Sequence, residues 1–337
     1  MAARLVQVFL PESQVGRLDE ILARHCRRYW REDVPSDQEK FSAIVQQRYT
    51  ERLIEDLEGA FGHLAGFSAY VASLEAVIPP VDETPESELP LVEASRPPTA
   101  LERFFSRDRL STSELFDDIE ESLHISPSYL ATALLSAIIA ALGMRSGQTA
   151  VVIGAMIIAP LLGPTIGIAL ATTIGDARIG VRAVRTLLFG IAMATAGGLL
   201  VGWSVPIDPA VPELHNRTIV HPADIALALA CGTAGVLAFS RGGSLTLVGV
   251  MIAVALVPPL AAFGIYSAIG DFASALRAFY LFAVNLVCLN VAGIATLLLQ
   301  GLPPKDWRMT GGIMALWLFV LVAMASLLVG RVALGLD

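Results

Sequence analysis

The stretch that decides the fold is VVIGAMIIAPLLGPTIGIALATTIGD, residues 151–176. It is apolar and long enough to cross the hydrocarbon core of a bilayer, which is about 30 Å thick. It also contains Pro160 and Pro164, although proline inside a helix removes a hydrogen bond and costs about 3 kcal/mol. The stretch therefore predicts a membrane span that is interrupted near its centre.

A second stretch matches the first at an offset of 95 residues. Residues 154–176 align without a gap with residues 249–271, GVMIAVALVPPLAAFGIYSAIGD, and eight of the 23 positions are identical. Apolar composition alone gives roughly two or three identities. The same offset pairs Pro127 with Pro222, and each of these prolines suits the first turn of a helix. The chain therefore contains an internal repeat.

Seven apolar segments predict an α-helical polytopic membrane domain over residues 127–337. Units 127–202 and 222–297 hold three segments each, and because three is odd, the second unit enters the membrane from the opposite side. We therefore expect a 3+3 inverted-topology repeat with one extra span at 311–334. The other segments are residues 127–144, 149–174, 183–204, 222–239, 245–269 and 276–299.

The first 79 residues predict a separate α+β domain. Their order of strands and helices is β-α-β-β-α-β, which is typical of a ferredoxin-like sandwich. Two roles stay open for it: packing or oligomerisation, and regulation by a small molecule. The predicted strands are residues 4–10, 27–34, 40–47 and 67–79, and the predicted helices are residues 13–25 and 49–64.

Two short segments connect the domains. Residues 80–110 are rich in proline and acid, which predicts a solvated linker. Residues 111–126 open with Ser111 and Glu114 in capping-box spacing. Apolar residues at 115, 119 and 123 then repeat at helical spacing. We expect a short amphipathic helix at the membrane surface or against the soluble domain.

Charge and composition exclude several classes of function. Residues 1–126 hold 24 acidic and 13 basic residues, which argues against nucleic acid as a partner. Three cysteines without paired spacing suggest neither a disulfide framework nor a metal site. Paired carboxylates within a span, a nucleophile elbow and a phosphate loop are also missing from the sequence. We expect no enzyme activity, no cofactor and no bound metal.

The string GAMIIAPLLGP, preceded by LLSAIIAALGM and followed by IGD, resembles a family of bacterial and archaeal membrane proteins. This is the uncharacterised hydrophobic domain family, also catalogued as domain of unknown function three-eight-nine. The resemblance covers about residues 112–300. It implies a multi-span membrane domain, often with a small N-terminal domain, and implies no established substrate.

Basic residues suggest an orientation. Six of them fall in the connections after the second, fourth and sixth segments, and four fall on the other side. Positive residues favour the cytoplasmic side, and the start of the chain lacks the apolar core of a signal peptide. We therefore expect a multi-pass protein of the inner (plasma) membrane with a cytoplasmic N-terminal domain. We also expect the protein to form a homo-oligomer.

The repeat predicts where a solute would bind. Matching helix breaks in an inverted repeat point to a transport site near the midplane, and we expect these breaks near Gly163-Pro164 and near Pro258-Pro259. No acidic residue lies centrally in any segment, which favours a neutral or anionic solute over cation coupling. The remaining candidate binding residues are Thr165, Asn285 and Asn290; the last two also suit structural bonding between helices.

Two acid–base pairs are candidate gates, although each also suits a solvated loop. Asp176 with Arg182, and Asp271 with Arg277, lie at matching places in the two units. The first hypothesis is thus a transporter or channel with a regulatory cytoplasmic domain. The rival is a membrane-anchored sensor or assembly scaffold, in which the breaks serve only tight packing. The sequence does not name the solute.

Overall fold

The computed structural model describes residues 3–26, 28–32, 38–74, 110, 112–242, 245–302 and 307–333. The chain divides into two compact units, Met1–Leu115 and Phe116–Asp337. Most of the predicted linker, the end of the fourth predicted strand and the predicted cap Ser111 lie outside the described residues.

The first unit contains a four-stranded antiparallel sheet, as the sequence predicts. The strands lie in the order β2-β3-β1-β4, and every neighbouring pair is antiparallel. The elements are β1 Ala3–Pro11, α1 Val15–His25, β2 Arg28–Glu32, β3 Gln38–Gln46, α2 Gln47–Phe61 and β4 Ser68–Leu74.

One face of this sheet forms the core of the first unit. Side chains alternate across a strand, so Val6, Val8 and Leu10 of β1 all point to the same face and are fully buried. They pack in one cluster with Leu22 of α1 and Leu53 of α2. Both helices therefore cover the same face of the sheet, as the sequence predicts.

The cysteines form no disulfide. Cys26, Cys231 and Cys288 are free thiols. Burial beside the first core raises the pKa of the Cys26 thiol to about 12, so this group stays protonated and unreactive at neutral pH.

Helix α3, Thr112–Ser122, begins in the first unit and ends in the second. Its residues Leu115 and Ile119 are buried, as is Leu123 just after its end. The helices that follow are α4 Pro127–Arg145, α5 Thr149–Ile158, α6 Leu162–Ile174, α7 Ala177–Ser204, α8 Pro212–His215, α9 Pro222–Ser240, α10 Leu245–Ala268, α11 Phe272–Leu299 and α12 Trp307–Ala333.

Several of these helices suit a multi-pass membrane protein. Among the described residues, α4, α7, α9 and α11 are long and apolar enough to cross a bilayer, and the bent pair α5–α6 makes up to five. The sequence predicts seven spans. Helices α10 and α12 have 24 and 27 residues, but their described apolar parts, Leu256–Ala268 and Thr310–Ser326, are shorter.

The helix bounds follow the repeat in the sequence. Helices α4 and α9 have 19 residues each and begin at positions 127 and 222, which are 95 apart. Helices α7 and α11 have 28 residues each and begin at positions 177 and 272, again 95 apart. Before each long helix stands a glycine with a left-handed φ, 83° at Gly175 and 84° at Gly270, a conformation that favours glycine.

Candidate functional site

The predicted interruption of the first repeat unit lies between α5 and α6. The two helices are separated by residues 159–161 and bend by 56°. Ala159 has an extended backbone, with ψ at 124°, as expected for a residue that precedes a proline. The break thus follows from Pro160, four residues before the predicted position at Gly163-Pro164.

The spacing of the two prolines explains this break. Pro160 has no N–H for the carbonyl of Met156, and Pro164 has none for the carbonyl of Pro160, because helical bonds join residues i and i−4. Two successive turns therefore lose a bond. Pro164 itself lies in the first turn of α6, where an N–H has no partner within the helix.

The second predicted break is absent from the described helix α10, which corrects the sequence-based prediction. This helix runs from Leu245 to Ala268 with Pro258 and Pro259 inside it. Adjacent prolines remove two donors from the same turn. A full break leaves up to four N–H and four carbonyl groups without helical partners, and these cost several kcal/mol each in hydrocarbon. Continuing the helix is therefore less costly.

Neighbouring hydroxyls satisfy part of the broken backbone. Ser136 of α4 donates to the carbonyl of Ala155 at 2.6 Å, and Thr165 donates to the carbonyl of Leu161 at 2.7 Å. In the described part of the chain, no backbone hydrogen bond reaches the carbonyls of Ile157 and Ile158. These oxygens lie at the C-terminal, negative end of α5. The break thus presents carbonyl acceptors at the end of α5 and backbone N–H donors at the start of α6.

Helix α6 is enclosed by protein on all sides. All thirteen of its residues are buried, including Gly163, Pro164 and Thr165. It packs against α7, α10, α11 and α12. Non-helical backbone at membrane depth is tolerated only where protein or a water-filled cavity surrounds it, and this enclosure meets that condition.

The break lies beside the middle of the long helix α7. Gly190 is the fourteenth of the 28 residues of α7, and a Cβ there would overlap Leu161 of the break. Tyr129 of α4 also approaches this point, and its hydroxyl donates to the carbonyl of Thr186 at 2.9 Å. The break thus lies between the middle of α7 and the first turn of α4.

The last turn of α3 covers the start of α6. A Cβ on Gly163 would lie 2.6 Å from the Cβ of Ser122, so glycine is required for this close approach. The hydroxyl of Thr186 donates to the carbonyl of Leu123 at 2.8 Å. The contact between Ser122 and Gly163 was not evident in the sequence, because these residues are 41 positions apart.

The predicted gate pairs have other roles. Asp176 caps α7 by accepting hydrogen bonds from the N–H groups of Arg178 and Ile179. Arg182 forms its ion pair with Glu120 of α3. Within the described residues, no ion pair joins Asp176 to Arg182, and the acid stabilises the helix terminus instead.

Asp271 occupies the same place at the start of α11. It accepts a hydrogen bond from the N–H of Ser274 at 3.1 Å. Hydrogen bonds from Ser274 are the largest cause of the lowered pKa of the Asp271 carboxyl, and the charge of Arg277 adds a smaller attraction. Each of the two aspartates is therefore a helix cap.

The two predicted asparagines are buried in α11. Asn285 is 6% exposed and Asn290 is fully buried. The amide nitrogen of Asn290 donates to the carbonyl of Leu286 at 2.8 Å. This bond lies within α11 itself, so it joins Asn290 neither to another helix nor to the break.

A loop packs against the far ends of two helices. It includes α8 and a 3-10 turn, Asn216–Thr218. Arg145 at the end of α4 donates to the carbonyl of Pro206 at 3.0 Å. Thr149 at the start of α5 donates to Glu213 of α8 at 3.1 Å. The loop is therefore held in place at both helix ends. Among the described residues, no cluster of three or more metal-ligating side chains is present.

Helix contacts between the two repeat units are reciprocal. Gly198 of α7 lies against Gly264 of α10, where a Cβ on Gly264 would be 2.9 Å from the carbonyl carbon of Gly198. Gly293 of α11 lies against Ala169 of α6, where the corresponding distance to the Ala169 Cβ is 3.1 Å. Position 293 is 95 after 198, and position 264 is 95 after 169.

Comparisons with known proteins identify the family of this chain. The model of the family described as Domain of unknown function (DUF389) matches residues 156–291. An uncharacterised protein of Methanocaldococcus jannaschii is 30% identical over 258 residues, which make up 77% of this chain and 75% of that protein. No solved structure matches the chain.

Proposed function

Since the chain belongs to the family described as a domain of unknown function (DUF389), we propose a function from its own geometry. We propose that the protein is a membrane transporter or channel for a small solute. The observation that carries this proposal is the interrupted pair α5–α6, bent by 56°, together with the burial of every residue of α6. An interrupted span inside a bundle is how many transporters build a solute site.

The proposed membrane domain has seven spans, with α10 and α12 as the fifth and seventh. Its repeat units are related by an axis in the membrane plane, and the reciprocal pairs Gly198–Gly264 and Gly293–Ala169 support that relation. The N-terminal unit is cytoplasmic and regulatory, the membrane is the plasma membrane, and the protein is a homo-oligomer. Accessibility of single cysteines on the two sides of intact cells tests this orientation.

Two segments lie over the proposed solute site, one on each side of the membrane. On the proposed cytoplasmic side, the last turn of α3 lies on Gly163 and is held by the pair Arg182–Glu120. On the other side, the loop with α8 is held by the pair Thr149–Glu213. A carrier needs a closable barrier on each side of its site, and these two segments are suitably placed for that role.

The sharpest test is Pro160→Ala in proteoliposomes, with Pro222→Ala, a proline in the first turn of α9, as the matched control. Alanine at position 160 restores the donor for the Met156 carbonyl, so α5 and α6 should straighten. We expect flux of a permeant solute, chosen from urea, glycerol and formate, to fall about tenfold or more while thermal stability is kept. Pro222→Ala leaves both prolines of the break in place, and flux should stay within about twofold.

The outcomes separate the proposal from its rival. Full flux in a well-folded Pro160→Ala variant removes the break from the mechanism. If the unaltered protein carries no probe, and Pro160→Ala changes only assembly, the protein is instead a membrane-anchored sensor or scaffold.

A further inference from the structure

Two buried side-chain oxygens, one within α11 and one at its C-terminal cap, have no hydrogen-bond partner among the described residues: Oδ1 of Asn290 and Oε1 of Gln300. Asn290 is fully buried and Gln300 is 1% exposed. Their amide nitrogens are both engaged, since Asn290 donates to Leu286 at 2.8 Å and Gln300 donates to the hydroxyl of Ser240 at 2.7 Å. Each amide is thus fixed with its oxygen unpaired.

The two oxygens lie on one side of α11. Their residues are ten positions apart, which is about 15 Å along the helix and about 80° around it. Between them, Gly293 contacts Ala169 of α6 and Val236 of α9. We call the side of α11 from Asn290 to Gln300 the amide face. It is packed between α6 and α9.

The amide face runs along the enclosed helix that follows the break. The last turn of α6 lies beside the start of α12, where Thr310 donates to the carbonyl of Thr173 at 3.1 Å. Helix α12 follows the end of α11 in the chain, so the Gln300 end is the end nearer to Thr173. The Asn290 end is therefore nearer to the break.

The unpaired atoms define the ligand chemistry. Buried polar groups are almost always paired, and polar groups kept unpaired inside a membrane domain mark functional paths. Amide oxygens are acceptors only. An anion is repelled by such groups, while a hydroxyl or an amide N–H can pair with them. Helix α6 has no charged residue to balance a full positive charge.

We propose that the amide face lines the part of the solute path between the break and the Gln300 end, and that it selects small neutral solutes that donate hydrogen bonds. This inference rests on the transport function proposed above. It narrows the class of solute from neutral or anionic molecules to neutral molecules that donate hydrogen bonds. Asn290 and Gln300 are the two residues that set this selectivity.

The test compares four probes in proteoliposomes that contain the full chain: urea, glycerol, formate and chloride. Urea and glycerol should enter at least about tenfold faster than formate and chloride. Asn290→Leu, which keeps the side-chain size and removes the acceptor, should lower urea entry about tenfold. Its melting temperature should stay or rise, because an unpaired buried oxygen is removed. Gln300→Leu should also lower urea entry.

Thr233→Val is the control. The Thr233 hydroxyl bonds within its own helix, to Leu229 at 3.0 Å, on an exposed face of α9. Its urea entry should equal that of the unaltered protein. Formate entering as fast as urea, or unchanged urea entry in a folded Asn290→Leu protein, overturns the selectivity. If all four probes enter no faster than in protein-free vesicles, the transport function itself fails.

Discussion

The two stretches of sequence that match at an offset of 95 residues differ at their prolines. In the first unit, Pro160 and Pro164 are four residues apart, and the helix breaks into α5 and α6. In the second unit, Pro258 and Pro259 are adjacent, and α10 is continuous. Spacing therefore decides the outcome, because two prolines one turn apart disable successive turns, while adjacent prolines disable only one.

The difference lies at two pairs of equivalent positions. Pro164 and Pro259 match at the repeat offset, whereas Pro160 corresponds to Ala255 and Gly163 corresponds to Pro258. The repeat is thus asymmetric where function is proposed: one unit supplies the broken span and the other supplies a continuous helix against which α7 packs. A site built from one break differs from the two-break site that the sequence predicts.

The largest expected effect comes from Ala255→Pro. This change places a third proline in α10, four residues before Pro259, and so introduces the proline spacing of the first unit. We expect a loss of about 3 kcal/mol in stability, measured by thermal unfolding in detergent. Ala255→Gly, which removes no hydrogen bond, should cost about 1 kcal/mol. Equal stabilities for the two variants would contradict the spacing argument.

A smaller effect is expected from the reciprocal contacts. A methyl at Gly198 would overlap the backbone carbonyl of Ala261, whereas a methyl at Gly293 would lie 3.1 Å from the Cβ of Ala169. Gly198→Ala should cost roughly 1–3 kcal/mol, since backbone cannot move aside as a side chain can. Gly293→Ala should stay within about 1 kcal/mol, because helix propensity offsets the tight contact. Comparable losses of stability in unfolding experiments would mean that the α7–α10 and α6–α11 contacts are equally close.

The smallest expected effect concerns the aspartate caps. Asp176→Ala and Asp271→Ala should each cost about 1 kcal/mol, the usual value of a helix cap. The pKa of Asp271 is lowered in the folded protein from its ordinary 3.8, so its contribution is full above that value. It is lost as the pH falls through the lowered pKa. Unfolding from about pH 7 to about pH 3 checks this: the Asp271→Ala penalty should shrink only at the acid end, and a constant penalty would contradict it.

Local rules were sufficient for much of this architecture. The β-α-β-β-α-β order of the first unit follows from periodicity, because alternating and helical patterns place Val6, Val8 and Leu53 in one core. The helix starts at Pro127 and Pro222 follow from the conformation of proline. The break at Pro160 was also readable in principle, since a four-residue proline spacing is a property of the sequence.

The tertiary structure decided what local rules could not. The sequence by itself determined that the chain is an apolar membrane protein with a small antiparallel sheet domain, because hydropathy and periodicity act over a few turns. Only the packed structure placed Ser122 on Gly163, paired Arg182 with Glu120 and left the oxygens of Asn290 and Gln300 unpaired. Such contacts depend on which helix faces fill the same space. Several partners have similar local energies, and only close packing of the whole bundle selects among them.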